Sequence, residues 1–306
     1  MARIVVCEFM DESAVAQLRA RHDVLYDPAL VDDPARLQAE GAGAEAIIVR
    51  NRTQVRGALL AALTRCRVVG RLGVGLDNID VPACAALGIE VIPATGANAL
   101  SVAEYVIAAA MLLLRGAYRA TAEVVDGRWP RAALSDGREI GGKTLGLVGF
   151  GSIGQLTAKL ARGVGMNVIA HDAMLDGRHS AFAHVRSVSL DELCASADVI
   201  SLHVPLLDAT RRLFDAKRIA LMKSGAVLIN TARGGVVDEA AVAAALRSGR
   251  LGGAALDVFE TEPLPLGSPL TDCPNLLLTP HIAGVTAESN QRVSSMIAQR
   301  ILEVLG

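Results

Sequence analysis

Thr144-Leu145-Gly146-Leu147-Val148-Gly149-Phe150-Gly151-Ser152-Ile153-Gly154 is the stretch on which the reading of this chain turns. A short apolar run, Thr144 to Val148, has the composition of a buried strand, and it passes without a linker into a G-x-G-x-x-G pattern that opens a helix. The pattern alone is weak: with 29 glycines in 306 residues it arises by chance in about a quarter of such chains. Its setting adds the weight. Asp172 closes the next predicted strand, Val168 to Ala170, at close to the expected interval of about 20 residues past the last glycine. Each position has a physical task. Gly149 permits the tight turn, Gly151 lets the backbone approach a pyrophosphate, Gly154 lets helix pack on strand, and the helix N-terminus faces the phosphates. A carboxylate at Asp172 accepts from ribose hydroxyls and repels a 2′-phosphate, which favours NAD over NADP. The bland alternative is a glycine-rich turn with no ligand.

Working outward, β-branched runs alternate with helix-like stretches in both directions. Before the fingerprint come Arg3–Cys7, Glu12–Arg21, Val24–Tyr26, Pro34–Glu40, Ala46–Val49, Ala58–Leu63, Val68–Gly70, Val81–Leu87 and Glu90–Ile92; after it the rhythm restarts and runs to Leu276–Leu278. This is the pattern of open parallel sheets covered on both faces. Between the two series lie one long helix, Asn98 to Arg115, and a polar arm, Asp126 to Gly142, which holds the single tryptophan, Trp129. Ser189-Leu190-Asp191-Glu192 reads as a capping box. A last helix spans about Ala287 to Leu305.

Bulk composition narrows the function. A formal net charge of −2 and 3% aromatic residues leave no basic stripe and little for base stacking, so nucleic acid is not expected as a partner. The longest strongly apolar stretch, Tyr105 to Leu114, is about half a bilayer span, and the N-terminus meets charge too early for a signal peptide. A cytoplasmic protein without membrane contact is the expectation. Five dispersed cysteines without a Cys-x-x-Cys pair argue against a disulfide framework and against zinc; no metal is expected.

Three polar residues follow successive predicted strands. Arg233, in Asn230-Thr231-Ala232-Arg233-Gly234-Gly235, sits at a strand's C-terminal edge, where a guanidinium can grip a carboxylate bidentately. Glu262 lies in Asp257-Val258-Phe259-Glu260-Thr261-Glu262-Pro263, and His281 in Thr279-Pro280-His281-Ile282-Ala283-Gly284. Singly, each reads as an ordinary ion-pair, exposed acid or loop histidine. Together, after a dinucleotide fingerprint, they are what hydride transfer from an alcohol requires: imidazole accepts the hydroxyl proton near neutral pH, and a neighbouring carboxylate favours the imidazolium and fixes the ring.

These segments resemble the D-isomer-specific 2-hydroxyacid dehydrogenases, and the similarity extends over nearly the whole chain. The resemblance implies an α/β fold of two doubly wound parallel-sheet domains, a flavodoxin-like substrate domain (1–97 plus 286–306) and a Rossmann NAD-binding domain (98–285), assembled as a homodimer. It implies a catalytic set of Arg233, Glu262 and His281, with Asp257 near the nicotinamide carboxamide. Cofactor contacts are expected from Gly149, Gly151, Ser152, Ile153, Gly154, Asp172, Val204, Thr231, Ala232, Arg233, Asp257, His281, Ala283 and Gly284. The Gly73-Val74-Gly75 loop is expected to hold the substrate carboxylate with Arg233 and His281. Ile48-Val49-Arg50-Asn51-Arg52-Thr53 and Val69 to Asp80 are most similar to phosphoglycerate and sulfolactate dehydrogenases, which puts Arg50, Arg71 and Arg131 near a substrate's second anionic group. The alternative is that these arginines pair with local acids. With the chain ending at Gly306, no C-terminal regulatory extension is expected. The implied reaction interconverts a small D-type 2-hydroxy acid, such as 3-phosphoglycerate or 3-sulfolactate, and its 2-oxo acid. The competing readings are a glyoxylate or hydroxypyruvate reductase, a non-enzymatic NAD-binding corepressor on the same fold, and, less well matched because that branch carries glutamine where Glu262 stands, a formate dehydrogenase.

Overall fold

A computed structural model describes all 306 residues. In chain order, β1 (Arg3–Val6), α1 (Glu12–Arg19), β2 (Asp23–Tyr26), α2 (Pro34–Gly41), β3 (Ala46–Val49), α3 (Gly57–Ala62), β4 (Val68–Arg71), α4 (Val81–Ala86) and β5 (Glu90–Pro93) build the first half. Then come α5 (Ala99–Arg115), α6 (Thr121–Val125), β6 (Thr144–Val148), α7 (Ser152–Gly163), β7 (Asn167–His171), β8 (Arg186–Ser187), α8 (Leu190–Ser196) and β9 (Val199–Leu202). The chain finishes with α9 (Ala216–Leu221), β10 (Ala226–Asn230), α10 (Glu239–Arg247), β11 (Leu251–Leu256), β12 (Leu276–Leu278) and α11 (Ala287–Leu305). Two compact units result: Met1–Asn98 with Val285–Gly306, and Ala99–Gly284.

The first unit holds a five-stranded sheet of order β2-β1-β3-β4-β5 and the second a seven-stranded sheet of order β12-β11-β10-β9-β6-β7-β8. Every pairing is parallel. All residues of β3, β9 and β10 are buried, as strands covered on both faces must be. Each unit has an apolar cluster on either face of its sheet. In the first unit α11 lays Val293, Ile297 and Ile301 onto one of these faces; burying one such side chain contributes about 1.5–3 kcal/mol. The strand order reverses between β1 and β3 in the first sheet and between β6 and β9 in the second. At such switch points the loops leaving the strands' C-terminal ends diverge and open a crevice for ligand.

Helix starts follow the sequence closely, since Asp11, Asp33, Asp80, Asp215 and Asp238 each accept a first-turn amide. At Ser189 only half of the expected capping box forms. The serine caps α8 through the Glu192 amide at 3.1 Å, but the Glu192 carboxylate takes an ion pair with Arg186 at 2.7 Å instead of reaching back. The reciprocal box is found at α11, between Thr286 and Ser289. All five cysteines are free, and four are buried; burial pushes the Cys7 thiol up to about 12 and those of Cys66 and Cys194 up to about 11. They serve as small apolar core residues. No single helix is long and apolar enough to cross a membrane.

Candidate active site

At the switch point of the second sheet β6 runs into Gly149, whose φ of +92° is open to glycine alone among common residues. A Cβ there would lie 2.5 Å from the His203 carbonyl oxygen, just past the end of neighbouring β9. A Cβ on Gly154 would lie 2.4 Å from the Gly149 carbonyl oxygen, so the first turn of α7 and the end of β6 touch backbone to backbone. Gly151, the residue before α7, has no such neighbour: a Cβ there meets nothing within 4 Å, and no side chain caps the helix. The turn is therefore closed beneath and open above, with uncapped amides facing the opening.

Asp172, directly after β7, accepts the Phe150 amide at 2.7 Å and those of Met174 and Leu175 at 2.8 and 3.2 Å. The carboxylate thus braces the glycine turn. A carboxylate has about four acceptor positions, so one remains for a ribose hydroxyl. At the end of β10 the Thr231 hydroxyl oxygen is buried with no partner within the protein, a group that a ligand in the crevice satisfies. These features, together with the open space above Gly151, fit a dinucleotide.

The remaining second-unit residues hang from the ends of β10, β11 and β12. Asn230, fully buried, folds the loop after β10 by accepting from the Ala232 amide at 3.0 Å and donating to the Arg233 carbonyl at 2.9 Å. Arg233 is half-buried and donates to the Ala232 carbonyl at 2.7 Å. Asp257 follows β11 and is 1% exposed. Its carboxylate accepts from the Thr279 hydroxyl at 2.6 Å and from the amides of Ile282 and Ala283 at 2.8 and 2.9 Å, while its carbonyl accepts the His281 amide at 2.8 Å. This clamp holds His281 at a φ of +55°, a left-handed conformation a non-glycine residue keeps only where its surroundings impose it. Tyr105 of α5 extends the chain, its hydroxyl 2.7 Å from that of Thr279. The His281 Nδ1 then lies 2.8 Å from Glu262 Oε2, and Glu262 Oε1 accepts the Phe259 amide at 3.0 Å. One ring nitrogen is tied to a carboxylate, and the other, Nε2, has no hydrogen-bond partner within the protein.

Of the first-unit candidates, Arg71 ends β4, donating to the Leu72 carbonyl at 2.9 Å, and its guanidinium fills the space a Cβ on Gly73 would need. Val74 and Gly75 continue that loop, Val74 being 37% exposed. Arg50 leaves β3 half-buried; its Nη2 donates to the side-chain oxygen of Asn290 at 2.9 Å, and its guanidinium carbon stands 5.8 Å from the Phe9 ring centroid. It has no ion pair, whereas Arg52 pairs with Asp32. Arg131 is exposed on the arm of the second unit. Sequence reading did not single out Glu8, Asn78, Tyr105, Asn230 or Thr279. Their signal was faint: single polar residues in or beside apolar elements, and for Glu8, Asn78, Tyr105 and Thr279 the partners lie more than 20 positions away.

A glycine turn at a switch point, a braced acid one strand over and a carboxylate-bound histidine after the edge strand β12 define a dinucleotide-dependent oxidoreductase. Comparison with known proteins gives the particular kind. Residues 107–283 match the model of the D-isomer specific 2-hydroxyacid dehydrogenase NAD binding domain, more than half of the chain, and the protein belongs to that family. It is an NAD-dependent 2-hydroxyacid dehydrogenase. It is 53% identical over 307 residues to a protein of Chromohalobacter salexigens called (S)-sulfolactate dehydrogenase, covering 100% of this chain and 99% of that one. It is 38% identical over 306 residues to the D-3-phosphoglycerate dehydrogenase of Methanocaldococcus jannaschii, of which it spans 58%. Among solved structures, a Thermus thermophilus protein superimposes with a TM-score of 0.90 at 35% identity, over 99% of this chain and 96% of that one.

Proposed function

We propose that the substrate is a small D-configured 2-hydroxy acid carrying a second anionic group on C3, with 3-sulfolactate and 3-phosphoglycerate as the leading members, and that Arg233, Glu262 and His281 are the catalytic residues. The observation that carries the substrate class is Arg50: a half-buried guanidinium held by a neutral amide and an aromatic face, without an ion pair. Removing a cation from water without a counter-charge is costly, and an anionic ligand supplies the counter-charge. Arg71, at the end of β4, is the second cation proposed to face that group. The names of the two relatives agree on hand as well as charge. Sulfur on C3 outranks the carboxyl group in the naming rules, so S in sulfolactate and D in 3-phosphoglycerate describe the same arrangement of groups about C2.

In oxidation the C2–H bond breaks with its electron pair and the O–H bond loses its proton. NAD, when bound, takes the hydride. Arg233 and the Gly73-Val74-Gly75 amides hold the substrate carboxylate, which fixes C2 and its oxygen. His281 Nε2 takes the hydroxyl proton, and Glu262, hydrogen-bonded to Nδ1, stabilises the imidazolium that forms. Reduction runs the same steps backwards. Ser152, Ile153, Val204, Thr231, Ala232, Ala283 and Gly284 complete the cofactor contacts, and Asp172 selects NAD over NADP. Asp257, with three acceptor positions occupied by Thr279, Ile282 and Ala283 of the loop after β12, positions His281 and keeps one for the nicotinamide carboxamide. Free cysteines suit a reducing cytoplasm. The exposed apolar side chains Tyr118, Val125 and Trp129 suit a homodimer, which light scattering on a sizing column tests.

The deciding experiment follows NADH absorbance with 3-sulfopyruvate, 3-phosphohydroxypyruvate, hydroxypyruvate, glyoxylate and pyruvate. Strong selectivity for one of the two C3-anionic acids is expected. Preference for hydroxypyruvate or glyoxylate refutes the substrate class, and normal turnover by His281→Ala refutes the catalytic assignment.

A further inference from the structure

Glu8 and Arg50 stand at the ends of β1 and β3, the two strands between which the order of the first sheet reverses. This is the place in an open parallel sheet where ligands bind. Yet the acid and the arginine do not form an ion pair. Glu8, 5% exposed, accepts the backbone amides of Arg50, Arg52 and Thr53 at 2.8, 3.2 and 3.0 Å. Asn78 grips the same turn from its other polar side, donating to the Thr53 and Arg50 carbonyls at 2.6 and 3.1 Å. The nearby carboxylate is thus engaged with backbone, and the Arg50 side chain leaves in another direction, across Phe9 to Asn290 in the first turn of α11.

We propose that Asn290 is a specificity-determining residue that orients the Arg50 guanidinium without neutralising it, leaving its charge and remaining donors for the anionic group on C3 of the substrate. This rests on the reading of Arg50 given above and extends it to a residue that acts through the arginine. The side-chain carbonyl of Asn290 occupies one of five N–H donors. The others stay in the planar fork that matches two oxygens of a sulfonate or phosphate. Aspartate has nearly the same shape and keeps the hydrogen bond, but it brings a negative charge to the place the substrate's anion is meant to satisfy. The carboxylate in the first turn of α11 also favours the helix dipole. Asn290→Asp therefore separates a tie that merely fastens α11 to the turn after β3 from one that preserves a usable charge.

The test compares kcat/KM for 3-sulfopyruvate with that for hydroxypyruvate in the full-length wild type, Asn290→Asp, Asn290→Gln and Arg50→Met, with melting temperatures alongside. Asn290→Asp is expected to lower the ratio at least about tenfold, chiefly through KM for the anionic acid, without lowering the melting temperature. Asn290→Gln, which keeps an amide carbonyl, is expected to retain most of the selectivity, and Arg50→Met to abolish it. If Asn290→Asp keeps or raises the ratio while Arg50→Met collapses it, Asn290 has no part in specificity and the proposal falls, with the reading of Arg50 intact. If Asn290→Asp slows both substrates by the same factor, its role is structural and the proposal falls likewise. If Arg50→Met leaves the ratio unchanged, the reading of Arg50 and this one fall together.

Discussion

Replacing Gly151 by alanine separates cofactor binding from folding. Gly151 has φ −74° and ψ −159°, an extended conformation that alanine adopts, and its added Cβ meets no protein atom within 4 Å. The folded state loses nothing, while the unfolded chain loses freedom, so stability should rise by about 0.4–1 kcal/mol. The same methyl group projects into the space where a pyrophosphate must approach the amides at the start of α7. Losing one charge-assisted hydrogen bond of about 1.5–3 kcal/mol weakens NADH binding by about 10- to 150-fold. Thermal melts without ligand and fluorescence titration with NADH read the two effects separately. Gly154→Ala is the contrast: its Cβ would lie 2.4 Å from a backbone oxygen, so overpacking costs about 1–3 kcal/mol or more before any ligand is added. Wild-type NADH affinity in Gly151→Ala would show that the pyrophosphate does not cross this turn; a markedly lower melting temperature would show that the space above it is not open.

Asp257→Asn should turn an amide N–H₂ toward either the Ala283 amide or the donors of Thr279 and Ile282, costing about 1–3 kcal/mol in stability; kcat should fall with it, since the loop carrying His281 loses its clamp, and unchanged kcat refutes the clamp. Acid should destabilise the protein through His203, whose imidazole burial pushes down to about 4 from 6.5. The unfolded chain then binds the extra proton between those values, so full stability above pH 6.5 is lost as pH falls toward 4, by about 3 kcal/mol in total and about 1.4 kcal/mol at pH 5.5. Urea titrations at about pH 7.5 and 5.5 on wild type and His203→Asn check this, because the difference should shrink by that amount in the variant. Asp172→Asn should raise the NADPH-to-NADH ratio of kcat/KM about tenfold by removing the charge that repels a 2′-phosphate; an unchanged ratio refutes Asp172 as the selector.

Most of the fold was legible because parallel α/β sheets write themselves locally. Buried strands such as Ala46–Val49 and Val227–Ile229 are continuous apolar runs, and α5 was readable to within one residue of its observed Ala99 start. What escaped depends on pairing across space. The two-residue β8 exists only because Arg186 and Ser187 lie beside Ile169 and Ala170 of β7. At Ser189 the pattern showed a possible partner for Glu192 but not the competing Arg186, and the box at Thr286 uses serine where the motif has an acid or amide. In the candidate site the chemistry of hydride transfer already paired Glu262 with His281, which meet at 2.8 Å, but nothing local shows that Tyr105 reaches Thr279 from 174 positions away.

The two sheets solve one problem in the same way. In both, the ligand-facing ends at the switch point carry strongly polar groups beside apolar strands, and each group must either find partners or be left poised. The second sheet uses acids to brace backbone: Asp172 holds the glycine turn and Asp257 the His281 loop, each with three hydrogen bonds. The first sheet does the same with Glu8, also with three. In all three cases a carboxylate that could have neutralised a cation is engaged with amides or a hydroxyl instead. The exception is Glu262, whose Oε2 meets His281. An acid tied to backbone fixes the course of a loop, whereas an acid tied to imidazole fixes the orientation of the ring. That division separates the residues that build the site from the pair proposed to do its proton chemistry, and it explains why substituting Asp257 should act through the loop that carries His281, and substituting Glu262 through the direct hydrogen bond to the ring.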